Sequence, residues 1–172
     1  MIYLLDTNII ICLARNRITL ENSLAKVGII DLFSPQNQLI ISIVTVGELQ
    51  SFALNNNWGH KKIQLLESLL TNFIIADINI EGVVKLYAEI DAFSQCKYNK
   101  QNAIFTTPRN MGKNDLWIAA TAAFLGTTLV TTDNDFNHLK DEYLSAISVD
   151  ILKHLDDTNT ITKLPVPDRK DT

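Results

Sequence analysis

The chain has 172 residues, 47% hydrophobic and 20% charged, which is enough apolar material for one packed domain and too much for global disorder. Its 15 Lys and Arg against 19 Asp and Glu leave a formal net charge of −4, which excludes a globally basic nucleic-acid coat protein; a polyanionic partner would need a local basic patch or bound cations. Six glycines, four prolines and two cysteines exclude collagen-like, low-complexity and disulfide-framework classes.

In chain order, Ile2 to Leu5 is a short apolar run that predicts a buried strand. Asp6 interrupts it and no basic residue precedes it, so it does not read as a secretory signal. No apolar stretch approaches the ~18 residues of a membrane span, and the expectation is a soluble, cytoplasmic protein with no membrane partner. Asn8 to about Arg15 and Thr19 to Phe33 read as helices, followed by the turn cluster Ser34-Pro35-Gln36-Asn37. Leu39 to Ile43 reads as a strand and Thr45 to Asn56 as a helix with Val46, Leu49 and Ala53 on one stripe. Asn55-Asn56-Asn57 and Gly59 are its stop signal. Then follow a helix from His60 to Asn72, a buried strand from Phe73 to Ala76 and a helix from Glu81 to about Ser94. Lys113 to Leu125 is a strongly apolar helix closed by Gly126. Thr128 to Thr131 is a strand, Asp135 to Lys140 a short helix and Ala146 to Val149 a last strand.

This alternation predicts a three-layer α/β/α sandwich with a mostly parallel central sheet. One domain should cover residues 1–155, with residues 156–172 a polar tail carrying Pro165 and Pro167. In such sheets ligands bind at the carboxyl ends of the strands, and four acids stand at element junctions there. Asp6 follows the first strand, Glu48 lies in the first turn after the second, Asp115 opens the apolar helix, and Asp133 follows the strand before it, with Asp135 two residues on. Each has an ordinary explanation: capping and macrodipole effects favour acids at helix starts by roughly 0.5–2 kcal/mol. Thr45-x-x-Glu48 fits a capping box, and Asp133-Asn134-Asp135 suits a turn. Collected within ~4 Å, however, such carboxylates repel by roughly 4 kcal/mol per pair at an effective dielectric of ~20. They then require protonation or a cation, and a set of hard oxygen donors points to Mg²⁺ or Mn²⁺. Such ions activate water against a phosphodiester.

Asp6-Thr7-Asn8-Ile9, Thr45-Val46-Gly47-Glu48-Leu49, Asn114-Asp115-Leu116-Trp117-Ile118-Ala119-Ala120-Thr121-Ala122 and Thr131-Thr132-Asp133-Asn134-Asp135-Phe136 resemble, in order and spacing, the motifs of PIN-domain ribonucleases, and most closely VapC-type toxins of bacterial toxin–antitoxin pairs. The similarity runs from Met1 to about Val149. It implies a Mg²⁺-dependent endoribonuclease, with Mn²⁺ as a substitute and Asp6, Glu48, Asp115 and Asp133 as the acidic site. Asp135 supports Asp133 as a metal ligand, and Thr7, Asn8, Asn114 and Thr132 steady the site. The resemblance further implies an RNA substrate cut to 5′-phosphate and 3′-hydroxyl ends, a homodimer and a cognate antitoxin protein.

The segment 92–114 is longer than usual for small toxins of this family and holds Lys97, Lys100, Arg109 and Lys113 with no acid, a local charge of +4. With Phe93, Tyr98 and Phe105 interleaved, it reads either as an RNA-facing flap or as a solvated loop pinned by its aromatics. His60, His138 and His154 lack metal-ligand spacing and read as surface or helix-end residues, while Trp117 and Cys12 read as core. The glycines form neither a P-loop nor a dinucleotide fingerprint. Helices 8–33 and 45–72 leave a possible apolar groove for a partner peptide, though core packing explains the same pattern. Two other functions compete: a PIN-like module that binds RNA or protein without cutting, and a phosphohydrolase forming an aspartyl-phosphate, which Asn8 disfavours.

Overall fold

The computed structural model describes residues 1–98 and 107–151. Lys100, Phe105, His154, the expected domain end near residue 155 and the tail 156–172 lie outside them. The elements run β1 (Ile2–Leu5), α1 (Thr7–Arg15), α2 (Arg17–Lys26), β2 (Gln38–Ser42), α3 (Ile43–Asn55), α4 (His60–Leu70), β3 (Ile74–Ala76), α5 (Glu81–Ser94), α6 (Lys113–Leu125), β4 (Thr128–Thr131) and β5 (Ser145–Ser148). Every strand pairing among them is parallel, in the order β3-β2-β1-β4-β5.

Side chains alternate across each central strand, and the two faces feed two cores. Tyr3, Leu5, Ile41 and Val130 pack with α1 to α4 on one face. Leu4, Ile40 and Leu129 pack with α5 and α6 on the other. The predicted three-layer sandwich is therefore present. β1 is the switch point: successive strands build outward to β3, then the chain returns to place β4 and β5 on the opposite side. The carboxyl ends of β1 and β4 consequently open a crevice, where open α/β sheets place their ligands.

Local chemistry moves several expected boundaries. The second helix ends at Lys26, not Phe33, because Gly28 adopts φ +86 and Ile29 N turns back to bond Leu24 O at 3.0 Å. α3 begins at Ile43 and is capped by Ser42, whose hydroxyl accepts from Val44 N at 3.3 Å. Thr45 is thus a buried residue of the helix interior, and the Thr45–Glu48 capping box does not exist. Glu48 sits in the second turn, not the first. β3 is a three-residue edge strand with Ile74 54% and Ile75 47% exposed; only Phe73 before it is buried, so the buried strand expected here is an edge. The short helix expected over Asp135–Lys140 contracts to a single 3-10 turn, Asn137–Leu139. Among the described residues no helix is long and apolar enough to cross a membrane.

Candidate active site: an acidic pit at the sheet switch point

Asp6 follows β1 and caps α1. Its Oδ1 accepts from Thr7 N at 2.7 Å, and its Oδ2 accepts from the Thr131 hydroxyl at 2.7 Å. The side chain is buried, which raises its pKa above the ordinary carboxylate range; the bonds from Thr131 and Thr7 oppose this, and the charges of Glu48 and Asp133 add to it. Thr131, the last residue of β4, ties two acids together, because the same hydroxyl also accepts from Asp133 N at 2.9 Å. Asp133 Oδ1 in turn accepts from Asp135 N at 2.8 Å, so the expected turn is formed.

Glu48 projects from α3 toward α1 and α6. One of its oxygens accepts from the Thr7 hydroxyl and the other from Asn114 Nδ2, the latter at 2.8 Å. The Thr45 hydroxyl lies behind Thr7, 3.4 Å from it. Asp115, third residue of α6, has its pKa pushed up to about 6. Burial is the largest cause, followed by the negative charges of Asp6, Asp133, Glu48 and Asp135. Gly112 precedes α6, and a Cβ there would lie 2.6 Å from Asp115 Oδ2; its missing side chain is where the carboxylate sits.

Asp6, Glu48, Asp115, Asp133 and Asp135 therefore share one electrostatic neighbourhood supplied by α3, α6 and the carboxyl ends of β1 and β4. As they stand, no three carboxylates, imidazoles or thiols among the described residues are close enough to hold one ion. The donors are nonetheless all hard oxygens, and Mg²⁺ typically needs only one or two protein carboxylates beside waters and substrate phosphates. The donor set fits such an ion in kind, with the carboxylates of Asp6, Glu48 and Asp133 hydrogen-bonded into fixed orientations.

Asn8 and Thr132 line a second cleft beside the pit with Ile11, Cys12 and Arg15, a volume of about 450 Å³. The hydroxyl that bonds Asp6 and Asp133 N belongs to Thr131, whereas the motif pattern had singled out its neighbour Thr132 as the supporting residue. Thr45 and Gly112 were also not singled out as supports; one lies inside a helix and the other is visible only through its distance to Asp115.

The basic segment divides. Lys97 and Arg109 are exposed, with Lys97 Nζ on Gln95 Oε1 at 2.6 Å. Lys113 faces Asp91 at 3.7 Å. Tyr98 is exposed, but Phe93 is fully buried against Tyr143 and His138, so it is core and not a base-stacking surface. His138 takes the helix-end alternative of its expected roles, half-buried in the last turn of the 3-10 helix: Nε2 lies 2.8 Å from the buried Ser94 hydroxyl, and burial lowers its pKa. Trp117 packs half-buried on Tyr87, with ring centroids 4.2 Å apart.

Residues 3–142 match the PIN domain family. Ribonuclease VapC1 of Haemophilus influenzae strain R2866 is 31% identical over 144 residues, 82% of this chain and 94% of that protein. Among solved structures, VapBC2 from Rickettsia felis, bound to a DNA fragment from its promoter, superposes with a TM-score of 0.68 at 26% identity over 87% of this chain and all of that one. VapBC-1 from nontypeable Haemophilus influenzae gives 0.64 at 30% identity, covering 86% of this chain and 98% of that one. With the family match over residues 3–142 and a VapC relative 31% identical across 82% of this sequence, the chain belongs to the PIN-domain family and stands among its VapC members.

Proposed function

We propose that the chain is a divalent-metal-dependent endoribonuclease, the toxin of a toxin–antitoxin pair. One observation carries the reading: acids from distant parts of the chain gather at the β1/β4 crevice closely enough that the charges of Glu48 and Asp133 add to burial in raising the proton affinity of Asp6 and Asp115. A scaffold would gain nothing from that repulsion. The ribonuclease relative supports the RNA substrate, and the VapBC neighbours support an antitoxin partner.

Mg²⁺, or Mn²⁺ in its place, would be held by Asp6, Glu48, Asp115, Asp133 and Asp135 in part or together, and when bound supplies a water of lowered pKa and charge for the leaving oxygen. Thr7 and Asn114 orient Glu48, and Thr131 orients Asp6. Among the described residues Asp115 has no such helper, and its pKa is pushed up to about 6, which suits it to take the proton of the attacking water. Lys97, Lys100, Arg109 and Lys113 are the proposed phosphate contacts, acting through charge alone, with the dimer and the cytoplasm as setting. Replacing all four should flatten the salt dependence of RNA binding; an unchanged slope rejects that contact.

Asp6→Asn tests the assignment. Its remaining oxygen still caps α1, but the charge is gone, so Mn²⁺-stimulated cleavage of RNA should disappear while the metal-free melting temperature rises. Full cleavage by this variant would defeat the nuclease. That no three carboxylates, imidazoles or thiols among the described residues stand close enough to hold one ion favours a second reading, a PIN-like module that binds RNA or protein without cutting. Calorimetric titration with Mn²⁺ near neutral pH separates the two, since absence of binding supports the module.

A further inference from the structure

One face of α3 packs into neither core. Val44, Gly47, Ser51, Phe52 and Asn55 line an open cleft of about 540 Å³. Glu48 and Asn114 close its inner end, and both belong also to the acidic pit. Cleft and pit are therefore continuous, and a chain lying in one extends into the other.

Gly47 has no structural reason to be glycine. It lies in the interior of α3, where glycine is disfavoured relative to alanine. Its φ is not left-handed, and a Cβ built on it meets nothing within 4 Å. The bare backbone serves instead to keep the cleft floor open. Above it, Phe52 offers an aromatic ring held by Trp58 edge-on at 5.6 Å and by the Arg15 guanidinium at 5.9 Å. Ser51, Asn55 and Asn114 present donors and acceptors, and among the described residues no Lys or Arg lines the cleft. An aromatic face with amide and hydroxyl edges suits a nucleobase, whereas a phosphate would need a cation there.

We infer that this cleft binds the base of the nucleotide next to the cleaved phosphodiester of a single-stranded RNA. The inference rests on the ribonuclease reading, and its failure is distinguishable from that of the reading itself. Short single-stranded RNAs differing only in the bases flanking the cut would be compared for wild type, Gly47→Leu and Asn55→Ala. Cleavage is followed in Mn²⁺ and binding by fluorescence anisotropy in EDTA. Wild type should prefer one base at one flanking position by tenfold or more, and both variants should bring that ratio toward one with melting temperatures within a few degrees of wild type. An unchanged ratio in Gly47→Leu, or no preference in wild type, overturns the subsite. If wild type cuts no RNA yet shows a binding preference that the variants lose, the subsite stands and the nuclease falls. A dimer disrupted by Gly47→Leu with base preference intact assigns the cleft to a second copy and also overturns the proposal.

Discussion

At the residue scale, small groups decide where the charges point. Thr131 is fully buried, and its single hydroxyl serves Asp6 on one side and Asp133 N on the other. Thr131→Val keeps the shape and removes both bonds, leaving a buried carboxylate oxygen without its donor, which costs about 1–3 kcal/mol. Urea unfolding should show that loss, and Mn²⁺ affinity should fall with it, since Asp6 then holds its proton more tightly. Gly112→Ala acts differently. Its methyl group would stand where Asp115 Oδ2 now lies, so the carboxylate must swing away. The expected outcome is a cleavage rate lowered by on the order of tenfold or more, because mispositioning by about 1 Å costs that much or more. The melting temperature should change little, because only an exposed helix start is disturbed.

At the scale of elements, β2 passes directly into α3, and Ser42 serves as both the end of the strand and the cap of the helix. Ser42→Ala should therefore destabilise the fold by about 1 kcal/mol. Glu48 is not a capping residue, so Glu48→Gln forfeits no cap and relieves repulsion instead. Thermal melts in EDTA should move in opposite directions for the two variants: down for Ser42→Ala, up for Glu48→Gln. A fall for Glu48→Gln would return that acid to a structural role.

At the scale of the whole molecule, acids that burial and mutual repulsion make harder to ionise link stability to pH. Asp6 and Asp115 both have folded-state pKa values raised above those of the unfolded chain, Asp115 to about 6. The folded protein therefore binds protons more tightly. Its resulting stabilisation is complete below the ordinary carboxylate pKa and is lost as the pH rises through about 6. In EDTA the melting temperature should fall between pH 4 and pH 7 more steeply for wild type than for Asp115→Asn. Near pH 7, added Mg²⁺ should restore much of that loss through linkage. A wild-type profile as flat as the variant's would mean that neither burial nor the neighbouring acids raise the proton affinity of Asp115.

Much of the architecture was legible because it rests on local signals. The helices Glu81–Ser94 and Lys113–Leu125 begin and end where apolar spacing and Gly126 place them, and the strands around Leu4, Ile41 and Val130 follow from short apolar runs. The order of the acidic motifs along the chain likewise pointed to the acids that share the crevice. Tertiary structure alone decided what those residues face. Phe93 and Tyr98 are both aromatics of the same basic segment, yet one is core and the other exposed. Thr131 and Thr132 are adjacent hydroxyls of one dipeptide, yet strand pleating sends only Thr131 inward to Asp6. The gathering of the acids depends on strand order, which brings β4 beside β1 across more than a hundred residues. Spacing along a chain encodes periodicity and caps, whereas electrostatic neighbourhood is set by which distant strands pair, and that is a property of the folded sheet.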